Sequence, residues 1–306
     1  MSTATVTTRD RVRAVHEARL RIAARQPFEF RHALEFVAGF PATRGEQVVA
    51  DGALVKAWRL YGHTVATRIG AGPGGLVVDV ASPDPVDAVL REAVTDRLSF
   101  FLSLDDDLSP LLAGAGQDPA FAAVEAELRG YHQVKFPTPV EHVVWAILAQ
   151  RTPMAVARDA KARLMAALNP PVQAFGYELQ PFPSLNELNR LSEEQLAEHV
   201  RNTRKASYLH RTLQQLAEVD ESFLRHAPYE EVEQFLLSLP GIGPWSATFV
   251  LIRGLGRMER GSDDAEMLRA ASRVYGHAVD AAELARLAEP YGDARGYWAH
   301  YLRVGG

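Results

Sequence analysis

The segment over residues 239–249, LPGIGPWSATF, combines residue types that can bind an anion. A proline ends one helical pattern, two glycines can take positive φ at no steric cost, and a second proline suits the first turn of the next helix. This predicts a helix-hairpin-helix over about residues 231–254. The first N–H groups of the second helix stay unpaired at the positive end of its dipole. We expect Gly241, Ile242 and Gly243 to contact an anion, for which a DNA phosphate is one candidate; the alternative is a plain connection between two antiparallel helices.

Two carboxylates follow the hairpin in GSDDAEML, namely Asp263 and Asp264. A carboxylate at a helix N-terminus is kept ionised by the dipole, and it can in turn stabilise a developing positive charge. The same position favours helix capping, so Ser262 or Asp263 could serve only as an N-cap. Both roles are compatible if one Asp caps the helix and its neighbour takes part in the chemistry.

A basic stretch precedes the hairpin: residues 199–217 include four Arg or Lys and no acidic residue. The chain as a whole has a net charge of -5, so contact with nucleic acid must be local. Within this stretch Arg204 and Lys205 are the predicted phosphate contacts, although a charge run can also be a solvated helix face. Arg151, just after the helical pattern VEHVVWAILAQ, could contact phosphate or narrow a pocket.

The elements that must position these residues divide the chain into an α+β part and a helical part. Over residues 27–85, the β-branched runs HTVATRIG and GGLVVDVAS flank the turn AGPG and predict a small antiparallel sheet. Residues 1–26 are rich in Arg and predict an N-terminal arm or amphipathic helix. Over residues 86–306 apolar residues recur every three or four positions in many short segments, which predicts a compact helical domain.

Composition bears on several classes of site. The chain has no Cys, which excludes disulfides, thiolate metal sites and iron–sulfur clusters. Its His residues lack metal-ligand spacing and no nucleotide-binding motif occurs, so we expect neither a metal nor a cofactor. No apolar run approaches the roughly 20 residues that a membrane span needs. We expect a monomer without membrane contact, cytoplasmic and, in a bacterium, associated with the nucleoid.

The hairpin LPGIGPWSA, the Gly-containing loop and SDDAEMLR together resemble the motif of the helix-hairpin-helix (HhH-GPD) base-excision DNA glycosylase superfamily. Within it, the sequence is most similar to the bacterial DNA-3-methyladenine glycosylase II group. The segments FPTPVEHVVWAILAQRTPMAVARDAKARL and RNTRKASYLHRTLQQLAE resemble further parts of that family. The resemblance implies a mainly α helix-hairpin-helix DNA glycosylase fold with a small antiparallel-sheet N-terminal domain.

The same resemblance implies an enzyme that flips alkylated purines out of double-stranded DNA and hydrolyses their N-glycosidic bond. It places the catalytic Asp at the start of the helix after the loop, where Asp264 fits best by its distance to Met267. Asp263 stays open, because Arg269 follows Asp264 by five positions and the family often has a basic residue after four. A monovalent cation bound at the hairpin is a further candidate partner. The alternatives are a non-catalytic damage sensor and a glycosylase for deaminated or oxidised bases.

Trp245 occupies the hairpin position where family members that also cleave the DNA backbone carry a Lys nucleophile. The resemblance therefore implies a monofunctional enzyme that uses water. Trp245, Phe249, Tyr297 and Trp298 are the candidate aromatic residues of the base pocket, although each could instead be a core residue. Gln150 resembles a family Gln that lies near bound DNA.

Overall fold

A computed structural model describes residues 12–306 and confirms a mainly α chain with a small antiparallel sheet near its N-terminus. The strands are β1 (Val12–Arg13), β2 (His16–Ala23), β3 (Gln47–Ala50), β4 (Ala53–Leu60), β5 (His63–Gly72), β6 (Gly75–Ser82), β7 (Val172–Ala174) and β8 (Tyr177–Leu179). Five of them form an antiparallel sheet in the order β2-β6-β5-β4-β3, and the other three form a small sheet in the order β1-β7-β8. The turn AGPG joins β5 to β6, as the sequence predicts.

The helices extend over the rest of the chain. They are α1 (Phe30–Gly39), α2 (Ala88–Leu102), α3 (Ser109–Ala115), α4 (Ala122–Leu128), α5 (Pro139–Ala149), α6 (Met154–Leu168), α7 (Leu185–Leu188), α8 (Glu193–Val200), α9 (Thr203–Leu216), α10 (Glu221–His226), α11 (Tyr229–Ser238), α12 (Pro244–Phe249), α13 (Ala265–Tyr275), α14 (Ala281–Ala288) and α15 (Arg295–Gly305). A 3₁₀ turn lies at Pro41–Thr43, a longer 3₁₀ segment with a kink at Gly292 spans Glu289–Ala294, and α12 continues as a π-helical turn over Val250–Leu255. In the described part of the chain, no helix is long and apolar enough to cross a bilayer.

A helix between residues 12 and 26 is a wrong prediction. His16–Ala23 is instead an edge strand that pairs with β6 over its whole length. Its sequence HEARLRIA alternates polar and apolar residues, and that period of two places the partly buried Leu20 and the buried Ile22 on the core face. The Arg-rich composition of this stretch predicts an arm or a helix, whereas the alternation of polar and apolar residues predicts the strand that is present. Residues 1–11 lie outside the described residues, and the division of the chain at residues 26 and 85 stays a prediction.

Residues 12–306 contain two large hydrophobic cores and a smaller third one, where the five-stranded sheet packs against β7 and β8. One large core contains the five-stranded sheet, helices α2 to α4 and the C-terminal helices α13 to α15. The other large core contains α5, α6, α9, α11 and α12, and therefore the hairpin. The loop over residues 256–264 crosses from the second core to the first. Consequently the surface between the cores lies next to both the hairpin and Asp264.

Candidate active site

The predicted hairpin is present between α11 and α12, and its two glycines have different roles. Gly241 has φ +84°, and a Cβ there would lie 2.7 Å from the Tyr208 ring. Gly243 is the N-cap of α12 at φ −98°, and a Cβ there would have no atom within 4 Å. Gly241 is therefore required by the fold, whereas Gly243 leaves open space in front of the helix. The side chain of Ile242 is buried and its N–H donates to the Leu239 carbonyl at 3.0 Å, so this residue anchors the loop.

A groove of about 980 Å³ opens beside the hairpin, and we call it the hairpin groove. Its walls come from the end of α5, the start of α9 and the hairpin itself. The hairpin groove is lined by all of the predicted DNA-binding residues and by three of the predicted base-pocket residues: Arg151, Arg204, Lys205, Gly241, Ile242 and Gly243, and Gln150, Trp245 and Phe249. The structure therefore brings residues from distant segments together, while contact with DNA stays a prediction.

The three basic side chains of the groove differ in their freedom to bind phosphate. Arg151 is exposed and has φ +47° between α5 and α6. Arg204 is exposed, and its Nε donates to the Tyr208 hydroxyl at 2.8 Å. Lys205 differs, because its Nζ donates to the Leu148 carbonyl, the Gln150 carbonyl at 3.0 Å and the Thr152 hydroxyl. Its amine thus caps the C-terminal end of α5, and burial lowers its pKa.

Gln150, predicted in the base pocket, braces the hairpin. Its Nε2 donates to the Gly241 carbonyl and to the Ser246 hydroxyl at 3.2 Å. It lines the hairpin groove but not the cavity that contains Asp264. A side chain at the end of α5 reaches the hairpin, and this contact accounts for a polar residue directly after the apolar run VVWAILA.

Asp264 is the N-cap of α13 and accepts four hydrogen bonds. Its Oδ1 accepts from the N–H groups of Glu266 and Met267, at 3.1 and 3.0 Å. Its Oδ2 accepts from the Ser262 hydroxyl at 2.7 Å and from the Arg303 guanidinium at 3.0 Å. The N-cap is therefore Asp264 and not Ser262 or Asp263, while the catalytic role of either aspartate stays a prediction.

These contacts determine the charge of Asp264. Partial burial would by itself raise the pKa of the carboxyl group, but the hydrogen bonds from Ser262, Met267 and Arg303 outweigh burial and lower the pKa to about 2. Asp264 is therefore a carboxylate at neutral pH. Asp263 is exposed and does not line the cavity, so the geometry favours Asp264 as the candidate.

A second cavity, of about 420 Å³, contains Asp264, and we call it the Asp264 cavity. Its residues come from three separate parts of the chain: α1, the hairpin helix with its π-helical turn, and the C-terminal helices. They include Phe36, Phe40, Trp245, Phe249, Arg253, Ser262, His300 and Arg303. Since a flipped base is planar and apolar on its faces, a cavity with aromatic walls and two carboxylates, Asp264 and Glu266, is suited to receive it.

Trp245 and Phe249 form the wall between the hairpin groove and the Asp264 cavity, and both line each of them. Their rings stack with centroids 5.3 Å apart at an interplanar angle of 21°. Trp245 is 66% exposed, which is unusual for a Trp and leaves one face open to a ligand. The structure thus brings these two predicted pocket residues beside Asp264.

Tyr297 and Trp298 are placed wrongly by our sequence analysis, because both are buried on the far side of α15. The Tyr297 hydroxyl donates to Asp106, and the Trp298 ring stacks on Tyr291 at 5.5 Å. The cavity face of α15 instead carries Gly296, Ala299, His300 and Arg303, which follow helical spacing. An aromatic type alone did not show which face of the helix points to the cavity.

Sequence reasoning missed Phe36, Phe40, Arg253, His300 and Arg303 as cavity residues. The spacing of four between Phe36 and Phe40 was a signal for one helix face, but it did not show what that face meets. Nothing local indicates that α1 and α15 meet beside the hairpin, because this contact brings together residues that are far apart in the sequence.

Comparisons with known proteins agree with this arrangement. Residues 144–290 match the family model described as HhH-GPD superfamily base excision DNA repair protein. A Bacillus subtilis "DNA-3-methyladenine glycosylase" is 27% identical over 173 residues, covering 56% of this chain and 57% of the relative. A Mycobacterium tuberculosis "Probable bifunctional transcriptional activator/DNA repair enzyme AlkA" is 30% identical over 248 residues, covering 78% of this chain and 47% of the relative. The chain therefore spans about half the length of these curated relatives.

Solved structures show the same fold. A "3-methyladenine dna-glycosylase from Archaeoglobus fulgidus" superposes with a TM-score of 0.74 at 23% identity, covering 94% of this chain and 97% of that one. An "8-oxoguanine glycosylase/lyase" from Clostridium acetobutylicum superposes with a TM-score of 0.66 at 14% identity, covering 95% and 97%. The fold is therefore shared by proteins whose names give different lesions and different activities.

Proposed function

Because this chain belongs to the HhH-GPD superfamily of base excision DNA repair proteins, we propose that it is a monofunctional DNA glycosylase acting on alkylated purines. In this proposal duplex DNA lies across the hairpin groove and the damaged nucleotide flips into the Asp264 cavity. The observation that carries the proposal is an ionised Asp264 on the wall of a base-sized aromatic cavity next to the hairpin. The name of the Bacillus subtilis relative supports alkylated purines of the 3-methyladenine type as substrates.

Asp264 acts on the sugar by its charge. As the C1′–N bond breaks, the base leaves with the bonding electron pair and the sugar becomes an oxocarbenium ion. A carboxylate fixed beside C1′ stabilises that positive charge. A carboxylate with a pKa of about 2 is a weak base. Asp264 therefore stays ionised while water attacks C1′, and it need not accept the proton of that water before the C1′–O bond has formed.

Arg303 and Ser262 hold the carboxylate in place. Their donors occupy Oδ2, while the α13 backbone amides occupy Oδ1, so the carboxylate cannot rotate. Arg303 also reduces the negative potential at C1′. Arg303 and Ser262 therefore keep the Asp264 carboxylate fixed and ionised, but Arg303 also weakens the stabilisation that this carboxylate gives to the positive charge at C1′.

The lyase alternative requires an amine near C1′. Among the described residues that line the Asp264 cavity there is no Lys, and Trp245 stands at the hairpin position. We expect that borohydride added during reaction with methylated duplex DNA traps no covalent complex and that the product is an intact abasic strand, cleaved only by later alkali. A borohydride-trapped adduct of the wild-type protein would contradict the water mechanism.

A further inference from the structure

Arg253 lies in the Asp264 cavity, and its guanidinium donates no hydrogen bond to any residue that the structure describes. It belongs to the π-helical turn after α12, and its guanidinium lies 4.3 Å from the Phe36 ring and 5.8 Å from the Phe40 ring. Across residues 12–306, no side chain or carbonyl accepts a hydrogen bond from it, and the charged or phenolic groups near it are Tyr131, Tyr297 and Arg303.

The other guanidinium of the cavity is already engaged. Arg303 donates to Asp264 at 3.0 Å and lies 3.6 Å from Glu266. Arg257, four residues after Arg253, likewise uses its donors on Glu259 and on the Ala227 carbonyl. Among residues 12–306 Arg253 differs from both, since its guanidinium lines the cavity and has no hydrogen-bond partner in the protein.

Such an arrangement favours a ligand with acceptors. Solvent reaches the side-chain nitrogens of the partly buried Arg253 in the free protein. A ligand that displaces this solvent must itself accept from them, because a desolvated cation without acceptors costs free energy. Burial lowers the pKa of Arg253 to about 10, so the group stays a cation at neutral pH. The stacking on Phe36 fixes the plane of the fork, which suits two adjacent acceptors in one plane.

Under the proposed function, on which this step rests, the ligand is an extruded purine. A 6-oxopurine presents O6 and N7 as adjacent acceptors, which match an Arg fork, whereas a 6-aminopurine presents N7 beside a donating amine. We infer that Arg253 is a specificity-determining residue that donates to the O6/N7 edge of the extruded base, so that the cavity prefers 6-oxopurines to 6-aminopurines.

The test compares two bases that carry the same lesion. DNA treated with a methylating agent contains 3-methylguanine and 3-methyladenine, both of which are methylated at N3 and positively charged. Mass spectrometry of the released bases gives the ratio of their excision rates within a single reaction. This ratio is independent of the fraction of protein that is folded.

We expect Arg253→Met to lower the ratio of 3-methylguanine to 3-methyladenine release about tenfold. Arg253→Lys keeps the charge but not the fork, and it should also lower the ratio, which separates geometry from charge. The control Arg257→Met removes an Arg outside the cavity and should leave the ratio unchanged. An unchanged ratio in either Arg253 variant would overturn the inference. Release of neither base by the wild type would instead refute the proposed function and, with it, the inference.

Discussion

Among single residues, Asp264 matters most, because the proposed chemistry depends on how its carboxylate is held. Asp264 caps α13, accepts from Ser262 and pairs with Arg303, and each of these contacts favours its ionised form. The sequence predicts two of these features, the carboxylate and its place at a helix N-terminus. It could not predict Arg303, which lies 39 residues later and reaches Asp264 only because α15 packs against α13.

The depressed pKa of Asp264 makes a prediction about stability and pH. Because its pKa is lowered from 3.8 to about 2, its contribution to folding is complete above about pH 4 and is lost as the pH falls towards 2. Asp264→Asn keeps a good N-cap but removes the charge paired with Arg303. We expect the wild type to be more stable than this variant at pH 7, with the difference shrinking below pH 4, as measured by urea unfolding.

The matched control is Asp263→Asn, which changes an exposed neighbour. Its stability should follow the wild type across the same pH range. A difference between wild type and Asp264→Asn that stays constant down to pH 2.5 would show that the Arg303 pair does not set the pKa of Asp264.

At the scale of elements, the hairpin and the basic helix α9 were predicted from local patterns, and both exist. Local sequence patterns did not predict which partner each side chain contacts. Lys205 points back to the end of α5, because unpaired carbonyls there offer acceptors to an amine one helix away. Similarly, the aromatic residues of α15 turned out to face the core, since helix periodicity gives a face but not its neighbour.

We therefore expect Arg204 and Lys205 to differ when each is replaced. Arg204→Met should weaken DNA binding and reduce the slope of log affinity against log salt by about 1, because one phosphate contact is lost. Lys205→Met should lower the free energy of unfolding by about 1–3 kcal/mol, because it removes the cap on α5. Fluorescence titration at several salt concentrations and urea unfolding measure the two effects.

Arg211, on the same helix, provides a control for the charge removed from α9, because it is exposed and does not line the hairpin groove. Arg211→Met should leave the free energy of unfolding unchanged and reduce the salt slope less than Arg204→Met does. If Lys205→Met reduced the salt slope and left stability unchanged, Lys205 would be a phosphate contact and not a helix cap.

At the scale of the whole molecule, the site exists only where the two cores meet. Phe36 belongs to a helix near the N-terminus, Trp245 to the hairpin and Arg303 to the last helix, yet all three line one cavity. Secondary-structure patterns and a family motif predicted the helical body and the small sheet. The meeting of α1, the hairpin helix and α15 that forms the cavity depends on contacts between residues far apart in sequence, which periodicity does not record.

A buried charge cluster joins the sheet part to the helical part. Lys161 on α6 is fully buried, and its Nζ lies 2.7 Å from Glu141 on α5 and 2.7 Å from Glu46 beside β3. Lys161→Met would leave two buried carboxylates without their central cation. We expect the free energy of unfolding to fall by about 3–5 kcal/mol, measured by urea unfolding at pH 7.

Glu46→Gln provides the comparison, because Glu141 still pairs with Lys161 in that variant. Its loss of stability should be smaller than that of Lys161→Met. Equal stability of Lys161→Met and the wild type would show that this cluster does not join the two parts of the chain.

In the proposed mechanism the Asp264 carboxylate promotes base release. The most direct test is the single-turnover rate of base release from methylated duplex DNA by the wild type, Asp264→Asn and Asp263→Asn, with DNA affinity measured in parallel. We predict that Asp264→Asn lowers the rate by a factor of about 10² to 10³ with little change in affinity, while Asp263→Asn stays within about threefold of the wild type. Wild-type rates in Asp264→Asn, or a loss confined to Asp263→Asn, would contradict the account.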